Sequence, residues 1–203
     1  MRNLIAAGVA SAVMAGAAFA DGLAITVDGE AQGTIKIDLA EDVAPAHVAR
    51  LKELAEAGAY DGVIFHRVID GFMAQTGDPT GTGQGGSELP DLKAEFNPMP
   101  HVRGTVSMAR AQSEDSANSQ FFIVFYPRFS LDKKYTNFGR VIAGMDAVDA
   151  IVRGEPPSNP TRIVQASIAA DNRPAPSPAQ MAAPANTDAR TMSVDELNAP
   201  IGE

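Results

Sequence analysis

Residues 60–77, YDGVIFHRVIDGFMAQTG, constrain the fold of this chain more than any other stretch. Asp70-Gly71 stands between two apolar runs, and this dipeptide favours a tight hairpin turn because glycine accepts a positive φ. The run before the turn alternates as a strand does, through Val63, Phe65, Arg67 and Ile69. The segment therefore predicts two antiparallel strands that are joined by a short turn.

Arg67 is the unusual residue of this hairpin, because it is a permanent cation among large apolar side chains. Arginine carries five hydrogen-bond donors and no acceptor, so it is rarely placed among aromatic residues without a partner or a task. For an isolated arginine, a position on the surface beside a sheet edge would be the simpler interpretation.

Composition excludes several kinds of site. The 203 residues include no cysteine, which rules out disulfides, thiolate metal ligands and cysteine nucleophiles. The three histidines, His47, His66 and His101, lack the spacing of helical metal ligands, so we expect no metal site and no cofactor. The formal net charge of −9 makes nucleic acid and anionic membrane surfaces poor partners.

Residues 1–20 have the pattern of a secretory signal peptide. Arg2 gives a positive start, an apolar run follows, and Ala18-Phe19-Ala20 fits the small-x-small pattern before a cleavage site. The run is short for a membrane span and Asp21 follows at once, although an uncleaved anchor is the alternative. We expect a mature chain that begins at Asp21, inserts no segment into a membrane, and is periplasmic or secreted.

Residues 21–170 predict one mainly β domain. Strand-like alternation recurs at residues 23–27, 34–39, 104–110 and 161–169, and residues 121–125 form a fully apolar run that also predicts a strand. Helical spacing is confined to two stretches, from Pro45 to Gly58 and from Met145 to Gly154. Short strands with only two helices favour a closed antiparallel barrel, which has no sheet edges.

Two further segments have distinctive compositions. Residues 78–86 are rich in glycine but lack the Gly-Lys-Ser/Thr ending of a phosphate-binding loop, and no helical pattern follows them. We expect a loop whose backbone approaches another group closely. Residues 171–203 are rich in proline and alanine with few large apolar residues, which predicts a disordered acidic tail.

The segment 60–77 resembles the signature of the cyclophilin-type peptidyl-prolyl cis-trans isomerases. Its matching residues are Tyr60, Phe65-His66-Arg67, Phe72-Met73, Gln75 and Gly77. Further blocks match in the same order: Ser107-Met108-Ala109, Ser119-Gln120-Phe121-Phe122, and Leu131-Asp132 with Phe138-Gly139-Arg140-Val141. The resemblance covers about residues 23–169 and implies an eight-stranded antiparallel β-barrel that is capped by a helix at each end.

The resemblance also implies an activity, the rotation of X-Pro peptide bonds in exported proteins during folding. This reaction needs no nucleophile, metal or cofactor, only a surface that binds the twisted amide better than either planar form. Arg67 would donate a hydrogen bond to the prolyl nitrogen, and an apolar pocket would hold the proline ring. The implied catalytic residues are Arg67, Gln75 and Phe72, and the implied substrate-binding residues are Met73, Ala109, Gln120, Phe122, Leu131, Tyr135 and His66.

Other interpretations are weighed on the same residues. His66 could act as an acid or base, but rotation about a bond transfers no proton, which favours a structural or binding role. The serines do not form the G-x-S-x-G pattern of a serine hydrolase. The main alternative is a non-catalytic chaperone or scaffold module, for which Arg67 would be dispensable. In both cases proline-containing polypeptides are the expected partners and a monomer is the expected state.

The chain departs from many eukaryotic cyclophilins at three positions. Ser130 stands where those members carry tryptophan, Tyr135 where they carry a pocket histidine, and Arg110 where asparagine is common. The absence of the tryptophan is expected to weaken the binding of cyclosporin-type macrocycles. Tyr135 can still close an apolar pocket and offers a hydroxyl group.

Overall fold

The alternating apolar patterns form one antiparallel sheet in the computed structural model, which describes residues 22–171, 173–174 and 176–182. Its eight strands are β1 (Leu23–Asp28), β2 (Gly33–Leu39), β3 (Arg67–Ile69), β4 (Met73–Thr76), β5 (Thr105–Met108), β6 (Phe121–Val124), β7 (Asn137–Ala143) and β8 (Arg162–Ile168). Their order in the sheet is β3-β4-β6-β5-β7-β2-β1-β8. The prediction of a mainly β fold with eight antiparallel strands is confirmed.

The sheet curls into a half-barrel and is open between its edge strands, β3 and β8. The single strand predicted before Asp70 is split at this opening. Only Arg67–Ile69 pair with β4, whereas residues 62–65 hydrogen-bond to β8. Gly62 N donates to Ile163 O at 2.7 Å, and Phe65 N donates to Thr161 O at 2.9 Å. The two halves of this one alternating segment thus bind opposite edges of the sheet.

Aromatic side chains fill the inside of the half-barrel. Phe121 is fully buried and meets the rings of Tyr60 and Phe138 edge-on, with ring centroids 5.6 Å and 6.2 Å away. The inward positions of β1, Leu23, Ile25 and Val27, are also fully buried. Because strand side chains alternate between faces, the intervening residues of each strand face outward. The functional site uses this outward face.

Helix α1 (Pro45–Glu56) lies against β8, and α2 (Met145–Ala150) lies against β2. Pro45 suits the first turn of α1, but Ala44 before it has no side chain that could cap the helix. Glu95 takes this role from a distant loop: its carboxylate accepts the backbone N–H of Ala46 and of His47, both at 3.1 Å. It also pairs with His47 Nδ1 at 2.6 Å. A negative charge at the start of a helix is stabilising.

The start of the predicted tail lies on the domain. Arg173 pairs with Asp61 and donates to Ala166 O, and Arg162 donates to the carbonyls of Gln180 and Met181 at the end of a short helix, α3 (Pro178–Ala182). Part of the predicted tail thus contacts the domain, through arginine anchors that composition does not reveal.

The rest of the tail and the predicted signal peptide, residues 1–20, lie outside the described residues. Within the part of the chain that the structure describes, no helix has both the length and the hydropathy needed to cross a bilayer.

Candidate active site

The candidate site is a row of side chains that runs across neighbouring strands on the outward face of the sheet. Arg67 in β3 is paired with Gln75 in β4, which is paired with Phe122 in β6. Residues directly opposite one another in an antiparallel sheet point to the same side. The row therefore places a cation, an amide and an aromatic ring side by side, while the preceding Phe121 points into the core.

A cavity of about 360 Å³, lined by both apolar and polar side chains, lies against this row. The residues that line it are Arg67, Phe72, Met73, Gln75, Ala109, Arg110, Phe122, Leu131 and Tyr135. Eight of these nine are predicted site residues, and Arg110 is the addition. We call this space the proline cavity. Its volume falls at the lower end of the range for small-ligand sites, which is about 300–1,000 Å³.

Phe122 forms the floor of the proline cavity and is held from two sides. The ring of Tyr135 meets it edge-on with centroids 5.8 Å apart, and the ring of His101 lies nearly parallel to it at 6.4 Å. His101 is fully buried, and its nitrogens bind Asp132 Oδ1 and Ser107 Oγ, both at 2.8 Å. A floor that is fixed on both sides offers a preformed surface to a ligand.

Arg67 stands at the rim of the proline cavity with its guanidinium partly engaged. Its Nε donates to Glu155 Oε2 at 2.7 Å, and its Nη1 lies 3.5 Å from Gln75 Oε1. Its Nη2 makes no hydrogen bond to any described residue. The side chain is 42% exposed, so this remaining donor is accessible to a ligand.

A chain of amide hydrogen bonds leads from Arg67 to the glycine-rich loop. Gln75 accepts from Arg67, its Nε2 donates to Gln120 Oε1 at 2.8 Å, and Gln120 Nε2 donates to Gly85 O at 2.7 Å. Each amide uses its oxygen toward Arg67 and its nitrogen toward the loop, so the direction of the chain is fixed. We call this set the glutamine relay. It orients Arg67 without neutralising its charge.

The glycine-rich loop is organised by the carboxylate of Asp78, which is fully buried. One oxygen accepts Thr80 N and Thr80 Oγ1, both at 2.8 Å, and the other accepts Gly83 N at 2.6 Å and Gly85 N at 3.1 Å. A Cβ on Gly85 would lie 2.3 Å from Asp78 Oδ1, so only glycine fits there. The expectation of a closely approached loop is confirmed.

The loop also borders a second cavity of about 480 Å³, which we call the loop groove. Gln75, Ala109 and Arg110 line both the loop groove and the proline cavity, so the two spaces adjoin. In the described part of the chain, no three side chains of the metal-binding types come together.

A family model described as cyclophilin type peptidyl-prolyl cis-trans isomerase/CLD matches residues 23–168. The chain belongs to this family. A probable peptidyl-prolyl cis-trans isomerase from Brucella suis is 49% identical over 157 residues, which is 70% of this chain and 80% of the relative. Peptidyl-prolyl cis-trans isomerase B from Bacillus subtilis is 42% identical over 122 residues, which covers 60% and 85% of the two chains.

Solved cyclophilin structures have the same fold. A cyclophilin from Hirschia baltica aligns with a TM-score of 0.69 at 28% identity, over 76% of each chain. A cyclophilin-type isomerase from Cryptosporidium parvum, crystallised in the presence of the dipeptide Ala-Pro, aligns with a TM-score of 0.67 at 30% identity. That alignment covers 72% of this chain and 98% of the other.

Two predicted site residues of this cyclophilin lie where their contact with a substrate is limited. His66 lines neither cavity: it is only 4% exposed and lies beneath the glycine-rich loop, where a Cβ on Gly83 would be 3.2 Å from its ring. Burial lowers the pKa of His66, which favours the neutral ring. His66 precedes β3, the strand that places Arg67 on the outward face, and it packs beneath the glycine-rich loop instead.

Ala109 lines both cavities, but β5 is an inner strand of the sheet and offers no free edge. The N–H of Ala109 donates to Gln120 O at 2.9 Å. Its carbonyl accepts no hydrogen bond from the described residues, so only the carbonyl is available to a peptide. A peptide can therefore bind the backbone of Ala109 through a single acceptor.

Several site residues are missing from the sequence-based prediction. Glu155 binds Arg67 from a position 88 residues later, and the guanidinium of Arg128 lies 5.1 Å from the centre of the Phe72 ring. His101 lies behind Phe122, and its partner Asp132 belongs to the matched Leu131-Asp132 pair. That pair is the only signal in the sequence that could have led to His101.

Replacing Asp78 with asparagine is expected to loosen the glycine-rich loop. Burial alone would raise the pKa of Asp78, but hydrogen bonds from Thr80, Gly85 and Gly83 outweigh it and hold the pKa below its usual range. The asparagine would turn an NH₂ group toward backbone N–H donors, at a cost of about 1–3 kcal/mol in the free energy of unfolding.

The pH dependence of unfolding tests this account of Asp78. A carboxyl whose pKa is lower in the folded state stabilises the fold above its unfolded pKa and loses that effect as the pH falls through the folded value. The wild type should therefore lose stability on acidification through the range below about pH 4, where a free aspartate titrates. The difference from Asp78→Asn, measured by urea unfolding, should shrink over the same range; a constant difference would contradict it.

Proposed function

We propose that this protein accelerates the cis-trans isomerisation of X-Pro bonds in exported proteins as they fold. The observation that carries the proposal is the geometry of Arg67, a fixed guanidinium with a free Nη2 at the rim of the proline cavity. Binding of a proline ring would require only the cavity. A donor directed at the peptide bond serves catalysis.

The chemistry follows from the nature of the peptide bond. Resonance gives its C–N bond partial double-bond character and a rotation barrier of about 18–20 kcal/mol. In the twisted state the prolyl nitrogen becomes pyramidal and recovers a lone pair that neither planar isomer offers. A donor that reaches this lone pair stabilises the transition state selectively, which lowers the barrier. In this protein the donor is Arg67.

The walls of the proline cavity strengthen this interaction. Met73 and Phe122 are almost fully buried, and Phe72, Leu131 and Tyr135 pack beside them, so these side chains would cover one face of a bound proline ring. Hydrogen bonds to charged groups are stronger where water is excluded. The glutamine relay and Glu155 hold the guanidinium in place before the substrate arrives, so little reorganisation is needed during rotation.

The Cryptosporidium parvum structure obtained in the presence of Ala-Pro supports proline-containing peptides as ligands of this fold. Every residue that lines the proline cavity comes from one chain, so the site needs no second copy. We therefore propose that the protein acts as a monomer.

We also propose that the half-barrel is closed by residues 62–65. Three backbone hydrogen bonds support this: Gly62 N to Ile163 O, Ile163 N to Val63 O, and Phe65 N to Thr161 O. They continue the sheet from β8 toward β3 without forming a regular ladder. Slow hydrogen exchange of the Phe65 and Ile163 amides, comparable to that of the inner strands, would support closure; rapid exchange would oppose it.

Export is proposed from residues 1–20 and their signal-peptide pattern. Fusion of these residues to a reporter that is active only outside the cytoplasm should give activity and a mature protein that begins at Asp21. A matched fusion in which Leu4 and Ile5 are replaced by aspartate should remain inactive. Equal activity of the two fusions would refute the proposal.

The test of the catalytic function is the exchange rate of a model X-Pro peptide, measured by NMR with the purified mature chain. Uncatalysed exchange takes roughly tens to hundreds of seconds. We expect catalytic amounts of the protein to bring it into the sub-second range. Exchange no faster than in buffer, with the peptide demonstrably bound, would leave only the binding-module interpretation.

A further inference from the structure

Two arginines beside the proline cavity are unusual because they form no ion pair with any described carboxylate. Most described arginines do form one: Arg50, Arg67, Arg103, Arg153, Arg162 and Arg173 each lie within 4.0 Å of an Asp or Glu. Arg110, Arg128 and Arg140 are the exceptions. The sequence has 25 acidic and 16 basic residues, so carboxylates are plentiful and unpaired arginines are unexpected.

Arg110 is held firmly without losing its charge. Its Nε and Nη2 each donate to Lys134 O at 3.2 Å, and its Nη1 donates to the carbonyls of Ala111 and Gln112. The guanidinium also lies over the ring of Tyr135, 4.8 Å from its centre. Carbonyls and an aromatic face satisfy donors but leave the positive charge intact. One N–H of Nη2 has no partner among the described residues.

Arg110 lies where a bound peptide would meet its charge. Arg110 lines both the proline cavity and the loop groove, so a peptide that extends from one space to the other passes its guanidinium. Arg128 lies over the ring of Phe72 but does not itself line the proline cavity. Arg140, by contrast, is exposed on β7 and lines neither cavity.

The carboxylates near the site do not cancel these charges. Glu155 is paired with Arg67, and Asp132 is paired with His101. Asp91 lines only the loop groove, where its carboxylate accepts a hydrogen bond from Asn118 at 2.9 Å. The charged side chains that line the proline cavity are thus Arg67 and Arg110, in a protein whose formal net charge is −9.

We propose that the site favours X-Pro segments that carry an acidic side chain beside the prolyl bond, and that Arg110 recognises this side chain. The proposal rests on the proposed isomerase function and defines its substrate class. A fixed, uncompensated guanidinium attracts a carboxylate without paying the entropy of ordering a flexible side chain. It also repels a lysine at the same position, so selectivity arises from both attraction and repulsion.

The test compares three X-Pro peptides that differ only in one residue, Glu, Gln or Lys, placed two positions before proline. A second set carries the same replacements immediately before proline. In at least one set we expect kcat/KM to be about threefold to tenfold higher for Glu than for Lys at low ionic strength, as for an accessible ion pair. The ratio should approach one near 1 M salt, where the Debye length is about 3 Å.

Variants assign the effect to one residue. Arg110→Gln should bring the Glu-to-Lys ratio close to one, Arg110→Lys should retain part of it, and the control Arg140→Gln, with the same change in net charge, should retain all of it. Because the readout is a ratio, a general loss of activity cancels.

A ratio of one in the wild type for both sets, or an unchanged ratio in Arg110→Gln, would overturn the proposal. Loss of the ratio in Arg128→Gln but not in Arg110→Gln would overturn the assignment to Arg110. If the neutral Gln peptides are not accelerated at all, it is the isomerase function that fails.

Discussion

Replacing Arg67 with alanine is expected to lower kcat/KM for X-Pro exchange by about 10²–10³-fold, the range seen when one transition-state donor is removed. The proline cavity would keep Met73 and Phe122, so peptide affinity should fall far less than the rate. The fold should be little affected, because the guanidinium is 42% exposed and its ion pair with Glu155 lies on the surface. Exchange spectroscopy gives the rate, and peptide titration gives the affinity.

Arg67→Lys is the matched control for this experiment. It keeps the positive charge but replaces a planar fork with a single ammonium group, which cannot bind Glu155 and reach the prolyl nitrogen in the same way. We expect activity between those of wild type and Arg67→Ala. If Arg67→Ala retained wild-type kcat/KM, the catalytic role would be wrong and a non-catalytic proline-binding module would be the better description.

The adjacent residues Phe121 and Phe122 should give opposite phenotypes when each is replaced with alanine. Phe121 is fully buried between Tyr60 and Phe138, so Phe121→Ala should cost about 3–5 kcal/mol in the free energy of unfolding. The free energy of unfolding of a typical domain is about 5–15 kcal/mol, so this cost would remove a large part of it. Denaturant unfolding measures this cost directly.

Phe122→Ala should instead impair the reaction. Phe122 belongs to the outward cluster with Met73 and Val124 and forms the floor of the proline cavity. Its removal enlarges the cavity and loosens the contact with the proline ring, so KM should rise and kcat should fall. The loss of stability should be smaller than for Phe121→Ala, because Phe122 faces a cavity on one side. Equal losses of stability in the two variants would contradict the assignment of the two faces.

Local patterns predict most of the strands because one face of each strand packs into the core. Alternation predicts β1, and its three apolar residues, Leu23, Ile25 and Val27, are fully buried. Patterns do not reveal which partner an extended segment finds. Residues 62–65 and 67–69 form one continuous pattern, yet they bind opposite edges of the sheet. The choice depends on strands that are distant in sequence.

The sequence likewise predicts one part of the candidate site and misses another. The hairpin and the matched blocks lead to Arg67, Gln75 and Phe122, because these residues occupy fixed positions on strands. They do not lead to Glu155, which reaches Arg67 across 88 residues, or to His101, which supports Phe122 from behind. Nor do they show that His66, which precedes β3, is buried beneath the glycine-rich loop. Local sequence patterns do not reveal side-chain pairs that form only through tertiary packing.

The first and last strands of the sheet in chain order, β1 and β8, pair with each other, and this determines when the domain can become complete. Leu23 in β1 is the register partner of Ile168 in β8, so the first strand to be synthesised waits for the last. Contacts of such long range slow folding, because the loop between them must close first. Until residues 162–168 have emerged, one side of β1 presents unpaired backbone groups to any other chain. The arrival of β8 therefore ends the period in which β1 itself is exposed to edge-to-edge aggregation.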